Sequence, residues 1–344
     1  MSSNVKFTGS AQISPGWKAG YSLWLYTNGN NTSLLTNNVT TSRGSAGIAV
    51  ENSYWFIQSD QLGKLSVGKQ SLAADNAALG TDFSGTLFPA NNVTFDGAFF
   101  NIVNKATGTY TGVTWGQAGF WCEQANIGIS NDCAGGRLSG VRYDTPTIAG
   151  FTLSASWGED DYWDVAARYS GEFSGFKVSA AVAYSESTDQ DILATTFKPG
   201  SNDSQYFQVG GMIKHLASGL WVHGTYGLNT IDDGPAHGPQ GDITGFYIKG
   251  GLSQKYFALG QTHIYGEYGQ NDDAFQFGTA FNASLVTSSE AKRFGVGVVQ
   301  EIDAAAMSLW AKWRHHEYDA DLANGTKFEA ENVDMFLAGA VIFY

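Results

Sequence analysis

From Gly136 to the end of the chain, apolar residues return at every second position in segments of about eight to twelve residues, the period of a strand with one apolar face. Phe151, Leu153, Ala155 and Trp157 alternate with Thr152, Ser154, Ser156 and Gly158. Trp163, Val165, Ala167 and Tyr169 alternate with Asp164, Ala166, Arg168 and Ser170, and Phe176, Val178, Ala180, Val182 and Tyr184 continue the pattern. It returns at 207–213, 220–226, 246–252, 294–298 and 309–313. Several stripes carry an aromatic at one or both ends with small aliphatic residues between, as in a strand that crosses a lipid core between aromatic girdles. Two sheets packed face to face also alternate. Their exposed faces would need many Lys and Glu, however, and only 15% of this chain is charged, against roughly 25% in an average soluble protein.

Other classes fall away on composition. The 344 residues include 43 Gly without a triplet period, 6 Pro and 14% aromatics, which excludes collagen-like and disordered chains. No apolar run reaches the roughly 18 residues a transmembrane helix needs, and mean hydropathy is -0.18. A net charge of -13 opposes nucleic-acid binding. Cys122 and Cys133, with ten residues between them, do not fit a CxxC motif. A small-loop disulfide in an oxidising compartment is expected, with two buried free thiols as the alternative. Met1-Ser2-Ser3-Asn4 leads directly into an alternating segment without a basic start or an apolar core, so a mature or truncated chain is expected.

Connection lengths add an orientation. Long stretches at 185–204, 229–244, 270–290 and 317–332 alternate with tight ones at 215–219, 254–260 and 303–306. Membrane barrels pair short turns on one side with long loops on the other. Eleven strands after Gly136 and four upstream, near 5–14, 21–26, 45–58 and 64–68, make fifteen legible strands. The expectation is an all-β transmembrane antiparallel β-barrel, one domain over 1–344, interrupted at 70–135 by an insertion too long for an ordinary loop.

Three motifs carry a resemblance. Ser53-Tyr54-Trp55-Phe56-Ile57, followed by Gln61-Leu62-Gly63-Lys64-Leu65-Ser66-Val67-Gly68-Lys69-Gln70, resembles the strand-turn-strand before the constriction loop of Gram-negative trimeric porins. Val141-Arg142-Tyr143-Asp144-Thr145-Pro146 with Ala149-Gly150-Phe151 is similar to the strand and turn after that loop, and Phe336, Ala338, Ala340, Ile342 and Tyr344 resemble the terminal strand. The Gly9–Pro15 and Gly158–Asp164 segments resemble the alphaproteobacterial type. The resemblance implies a sixteen-stranded homotrimeric barrel in the outer membrane of a Gram-negative bacterium, with the strand at Val5 second of sixteen and a long third loop folded into a water-filled lumen. It implies a lipid membrane with lipopolysaccharide, small hydrophilic solutes and ions as partners, and neither nucleic acid nor cofactor.

If the apolar parity faces lipid, the opposite parity places Arg142, Arg168, Lys177, Lys214, Lys249, Arg293, Lys312 and Arg314 on the inner wall. Lys69 lies on the apolar parity and joins them only through the resemblance, by way of a bulge. The insertion supplies Asp75, Asp82, Asp96 and Glu123, with Asp132 and a single base, Lys105. Acids facing bases across a narrow passage set a transverse field that tunes selectivity; pairing within the wall is the alternative. Catalysis and a metal site are not expected: adjacent His315 and His316 point to opposite faces and are read as an exposed rim position, and Ser308 is far from His316. The acidic clusters at 159–161, 232–233 and 272–273 are read as solvated loop tips. The expected function is passive diffusion of small hydrophilic solutes, with a substrate-selective channel of the same fold or a secreted soluble β-sandwich binding protein as alternatives.

Overall fold

The computed structural model describes residues 3–28, 47–91, 96–98, 100–116, 118, 137–159, 161–188, 204–231, 242–274, 279–281 and 284–343. Its first strands are β1 (Ser3–Ser14), β2 (Trp17–Asn28), β3 (Gly47–Ser59) and β4 (Gly63–Ser71). A separate hairpin follows, β5 (Asn101–Asn104) with β6 (Thr109–Thr114). Next come β7 (Arg137–Asp144), β8 (Phe151–Gly158), β9 (Trp163–Phe173), β10 (Phe176–Ser187), β11 (Ser204–His215) and β12 (Leu220–Ile231). The chain ends with β13 (Ile243–Phe257), β14 (Gly260–Asp272), β15 (Thr279–Phe281), β16 (Ser284–Ile302), β17 (Met307–Leu322), β18 (Lys327–Glu329) and β19 (Val333–Ile342).

Apart from the β5–β6 hairpin, these strands form one sheet of 17. Its fifteen long members each pair antiparallel with the next, from β1 through β4 to β7, on through β14 to β16 and β17, and finally to β19. An odd number of strands, and so an even number of antiparallel steps, leaves β1 and β19 running in the same direction, and among the described residues no pairing joins them.

Burial is inverted relative to a water-soluble fold. In β12, Leu220, Val222 and Tyr226 are exposed, while His223, Thr225 and Asn229 are buried. Phe336 is 80% exposed, whereas Arg293 stands at 0% and Arg314 at 1%. Apolar side chains on the outer face and polar ones on the inner face are what a lipid-facing sheet requires. The long strands form one sheet, not two stacked ones, so the soluble-sandwich alternative fails.

Strand existence follows the sequence pattern, but strand ends do not. β16 starts at Ser284 and β17 runs to Leu322, into stretches read above as loops. There the ladder continues beyond the apolar belt on polar partners such as Lys292 opposite Glu317, which leave no apolar stripe to see. The β8–β9 connection at 159–162 is short although it lies at the long-loop end. The β5–β6 hairpin is a further addition. Its turn is closed by Asn104, whose side-chain oxygen accepts from the Ala106 amide at 2.8 Å, and it packs Ile102, Val113 and Trp115 against Tyr318, Leu322 and Phe328.

Candidate functional site

Beyond β4 the chain turns along the inner face of the sheet. Leu72, Ala73, Ala74, Ala77 and Ala78 are buried, and their small side chains bring the backbone onto the wall. The Ala73 and Ala74 amides donate to the Asp164 carboxylate at 3.1 and 2.7 Å, and Ser156 Oγ accepts from Ala73 at 2.6 Å. Gln208 spans two residues of the segment: its Nε2 donates to the Ala74 carbonyl at 2.9 Å and its Oε1 accepts from the Ala78 amide at 3.0 Å. Beside it, a Cβ on Gly210 would lie 2.6 Å from the Ala78 carbonyl oxygen, so this approach requires glycine.

A 3-10 turn at Leu79–Thr81 then carries the chain across β12, where Thr81 Oγ1 lies 3.1 Å from His223 Nε2. Lys249 Nζ, fully enclosed, reaches Asp82 Oδ2 at 2.5 Å, Thr86 Oγ1 at 2.9 Å and the Ala90 carbonyl at 2.6 Å. At the far end Lys312 donates to the Pro89 carbonyl at 2.7 Å and to the Asp96 carboxylate. Arg314 grips Glu267 with two 2.8 Å bonds, and its third nitrogen is 3.2 Å from Asp96. Such bidentate pairs fix geometry as well as charge. Gly97 packs against Met335 of β19. The segment is thus fastened to the inner wall from β8 and β9 across to β17 and β19.

This arrangement relocates the expected site. Lys249, Lys312 and Arg314 touch Asp82 and Asp96 directly, with no gap of water between them. Arg142 binds Asp144 at 2.8 Å and the carbonyls of Ser71 and Leu72 at 3.0 and 2.9 Å, and Arg168 binds the Ala73 carbonyl at 2.5 Å. Those arginines brace the root of the segment. Arg293 is buried with its guanidinium 5.4 Å from the Tyr247 ring centre. Lys177 stands 4.9 Å from the Phe83 ring, and Lys214 is its register partner. Lys69 is corrected: no register shift interrupts β4, so it keeps the outward parity and donates to the Val50 carbonyl at 3.0 Å. Glu123, Asp132 and both cysteines, Cys122 and Cys133, lie outside the described residues.

Two carboxyls of the segment respond in opposite senses. Burial pushes the pKa of Asp75 up, against weaker opposition from Arg137 and from hydrogen bonds to Ser71 and Asn76. Burial also acts to raise Asp82, but Lys249, His223 and the hydrogen bonds of Lys249 and Ser84 outweigh it and hold that carboxyl below its ordinary value.

Several partners were not singled out from sequence: Asp144, Asp164, Gln208, His223 and Glu267. All share the inward parity of the bases, which was the signal available. His316 is a second correction, since it is not at an exposed rim but buried, 5.8 Å from the Trp115 ring. His315 points outward to Asp334 at 2.9 Å. Nor are all acidic clusters solvated tips, because Asp273 accepts from the Ser289 amide at 2.9 Å. The wall side chains named above as holding the segment lie on β7 to β19, while the inward residues of β1 to β3 include Lys6, Lys18, Trp24, Tyr54 and Phe56.

Residues 1–170 match the Gram-negative porin family. A search of curated proteins gives no match. Among solved structures, the in-vitro folded trimer form of OmpT from Vibrio cholerae is similar over 98% of this chain and 89% of that chain, with a TM-score of 0.55 and 13% identity. An anion-selective porin from Comamonas acidovorans is similar over 98% and 89%, at 0.54 and 15%. OmpF of Salmonella typhi, solved with daunomycin, is similar over 98% and 90%, at 0.53 and 13%. At these identities the likeness is one of fold. With its amino-terminal half matched to that family and its lipid-facing sheet folded as in solved porins, the chain belongs to the Gram-negative porin family and is an outer-membrane porin.

Proposed function

We infer that the chain forms a homotrimeric diffusion channel, not an enzyme, whose narrowest passage lies between the segment 72–98 and the inner faces of β1–β4. The observation that carries this is the fastening of that segment along the inner wall from Asp164 to Arg314. A segment so held narrows the lumen without closing on the side it does not touch. Small hydrophilic solutes and ions are the permeants this geometry favours. Lipopolysaccharide suits the outward polar ends of β16 and β17, beyond the apolar belt. Folded protein added to planar bilayers should give stepwise currents that grow linearly with voltage. Protein that inserts without conducting overturns the reading.

A further inference from the structure

The inner wall is chemically two-sided. Where residues 72–91 and 96–98 lie, the bases Lys249, Lys312 and Arg314 are satisfied by Asp82, Asp96 and Glu267. Across from it, β1, β2 and β4 present Lys6, Lys18 and Lys64 on the same parity as the buried Ser22 and Ser66. Among the described residues no ion pair involves any of these three lysines. Asp144, the register partner of Lys64, is engaged by Arg142, and Asp75 of the segment is buried.

Aromatic rings alternate with these ammonium groups. Lys6 Nζ lies 5.8 Å from the centre of the Trp24 ring, its register partner. Lys64 Nζ sits between two rings, 5.1 Å from Tyr54 and 4.8 Å from Phe56. Phe56 lies across Gly20, where an added Cβ would come within 2.6 Å of the ring, so the ring is pressed flat on the wall. Lys18 and Lys64 flank Gln58 in one cross-strand row. Lys18 and Trp24 are six steps apart on β2, about 20 Å along the strand.

We propose that this face of β1–β4 is a binding track for small organic anions with a planar apolar body, such as aromatic carboxylates. The anionic head pairs with a lysine, and the flat body lies on Trp24, Tyr54 or Phe56. Half-exposed rings and ammonium groups that have no ion pair among the described residues are the two components such a solute uses and that simple inorganic ions use only in part. A ladder of sites about 20 Å long lets a bound solute step from one lysine to the next, so that attraction does not become a trap. The assignment rests on the diffusion-channel reading and deepens it by naming the solute class, against the sign of the chain's net charge of -13.

The test is a bilayer measurement on the full chain. In a potassium chloride gradient the wild type should show a reversal potential on the chloride side. Benzoate should reduce the single-channel current at lower concentration than acetate, and Lys64→Gln or Phe56→Leu should raise the benzoate concentration for half block about fivefold. Circular dichroism of each variant establishes that the barrel is present. Absence of wild-type current defeats the channel reading and this inference with it. Current that prefers potassium, or that benzoate and acetate reduce equally, overturns the inference and leaves the channel intact. An unchanged benzoate block in both folded variants removes the track itself.

Discussion

At the scale of single residues, the interior of this barrel is governed by desolvated charge. Removing one member of an enclosed ion pair strands the other and costs about 3–5 kcal/mol, whereas replacing both with apolar groups is often close to neutral. Lys249→Met should therefore destabilise the protein by about 3–5 kcal/mol in urea unfolding in detergent, and adding Asp82→Leu should restore most of the loss. Acid acts through the same carboxyls. The depressed pKa of Asp82 means that its contribution is complete above the ordinary value of 3.8 and is lost as the pH falls below it. Asp75 has the opposite sign: its raised pKa favours the folded state below 3.8, and that benefit is lost as the pH rises through the raised value. Asp75→Asn should accordingly melt higher than wild type at neutral pH, with the advantage gone below about pH 3.8. The inward parity of the bases could be read from sequence because strands alternate. Their partners could not, because the carboxylates arrive from a segment whose path across the wall no local pattern encodes.

Elements show the same division. Strands were legible wherever an apolar stripe marked the lipid-facing side, as in β8, β10 and β12. They were not legible where β16 and β17 leave that belt, since hydrogen-bonded ladders continue there without apolar alternation. The segment after β4 reads in sequence as a long acidic insertion, yet its alanines and the glycine opposite them determine how closely it lies on the wall. Gly210→Ala should push Ala78 off β11 and change the single-channel conductance, which bilayer recording checks. The β5–β6 hairpin is held by an apolar cluster, and Trp115→Ala should cost about 3–5 kcal/mol, seen as a lower urea midpoint.

For the whole molecule, outward apolar residues such as Trp55, Trp157 and Phe336 commit the sheet to lipid or to neighbouring copies. Unheated protein in mild detergent should migrate at three times the chain mass of 36.9 kDa, and chemical cross-linking should capture dimers and trimers but nothing larger. The fastening of one segment to β9 at Asp164 and to β17 at Arg314 has a mechanical consequence. It acts as a tie across a ring: lateral pressure from the bilayer that would flatten the wall must stretch or break those bonds. Strands β1–β4 lie outside the tie, so elastic breathing of the cross-section, and the current noise it produces, should originate on their side.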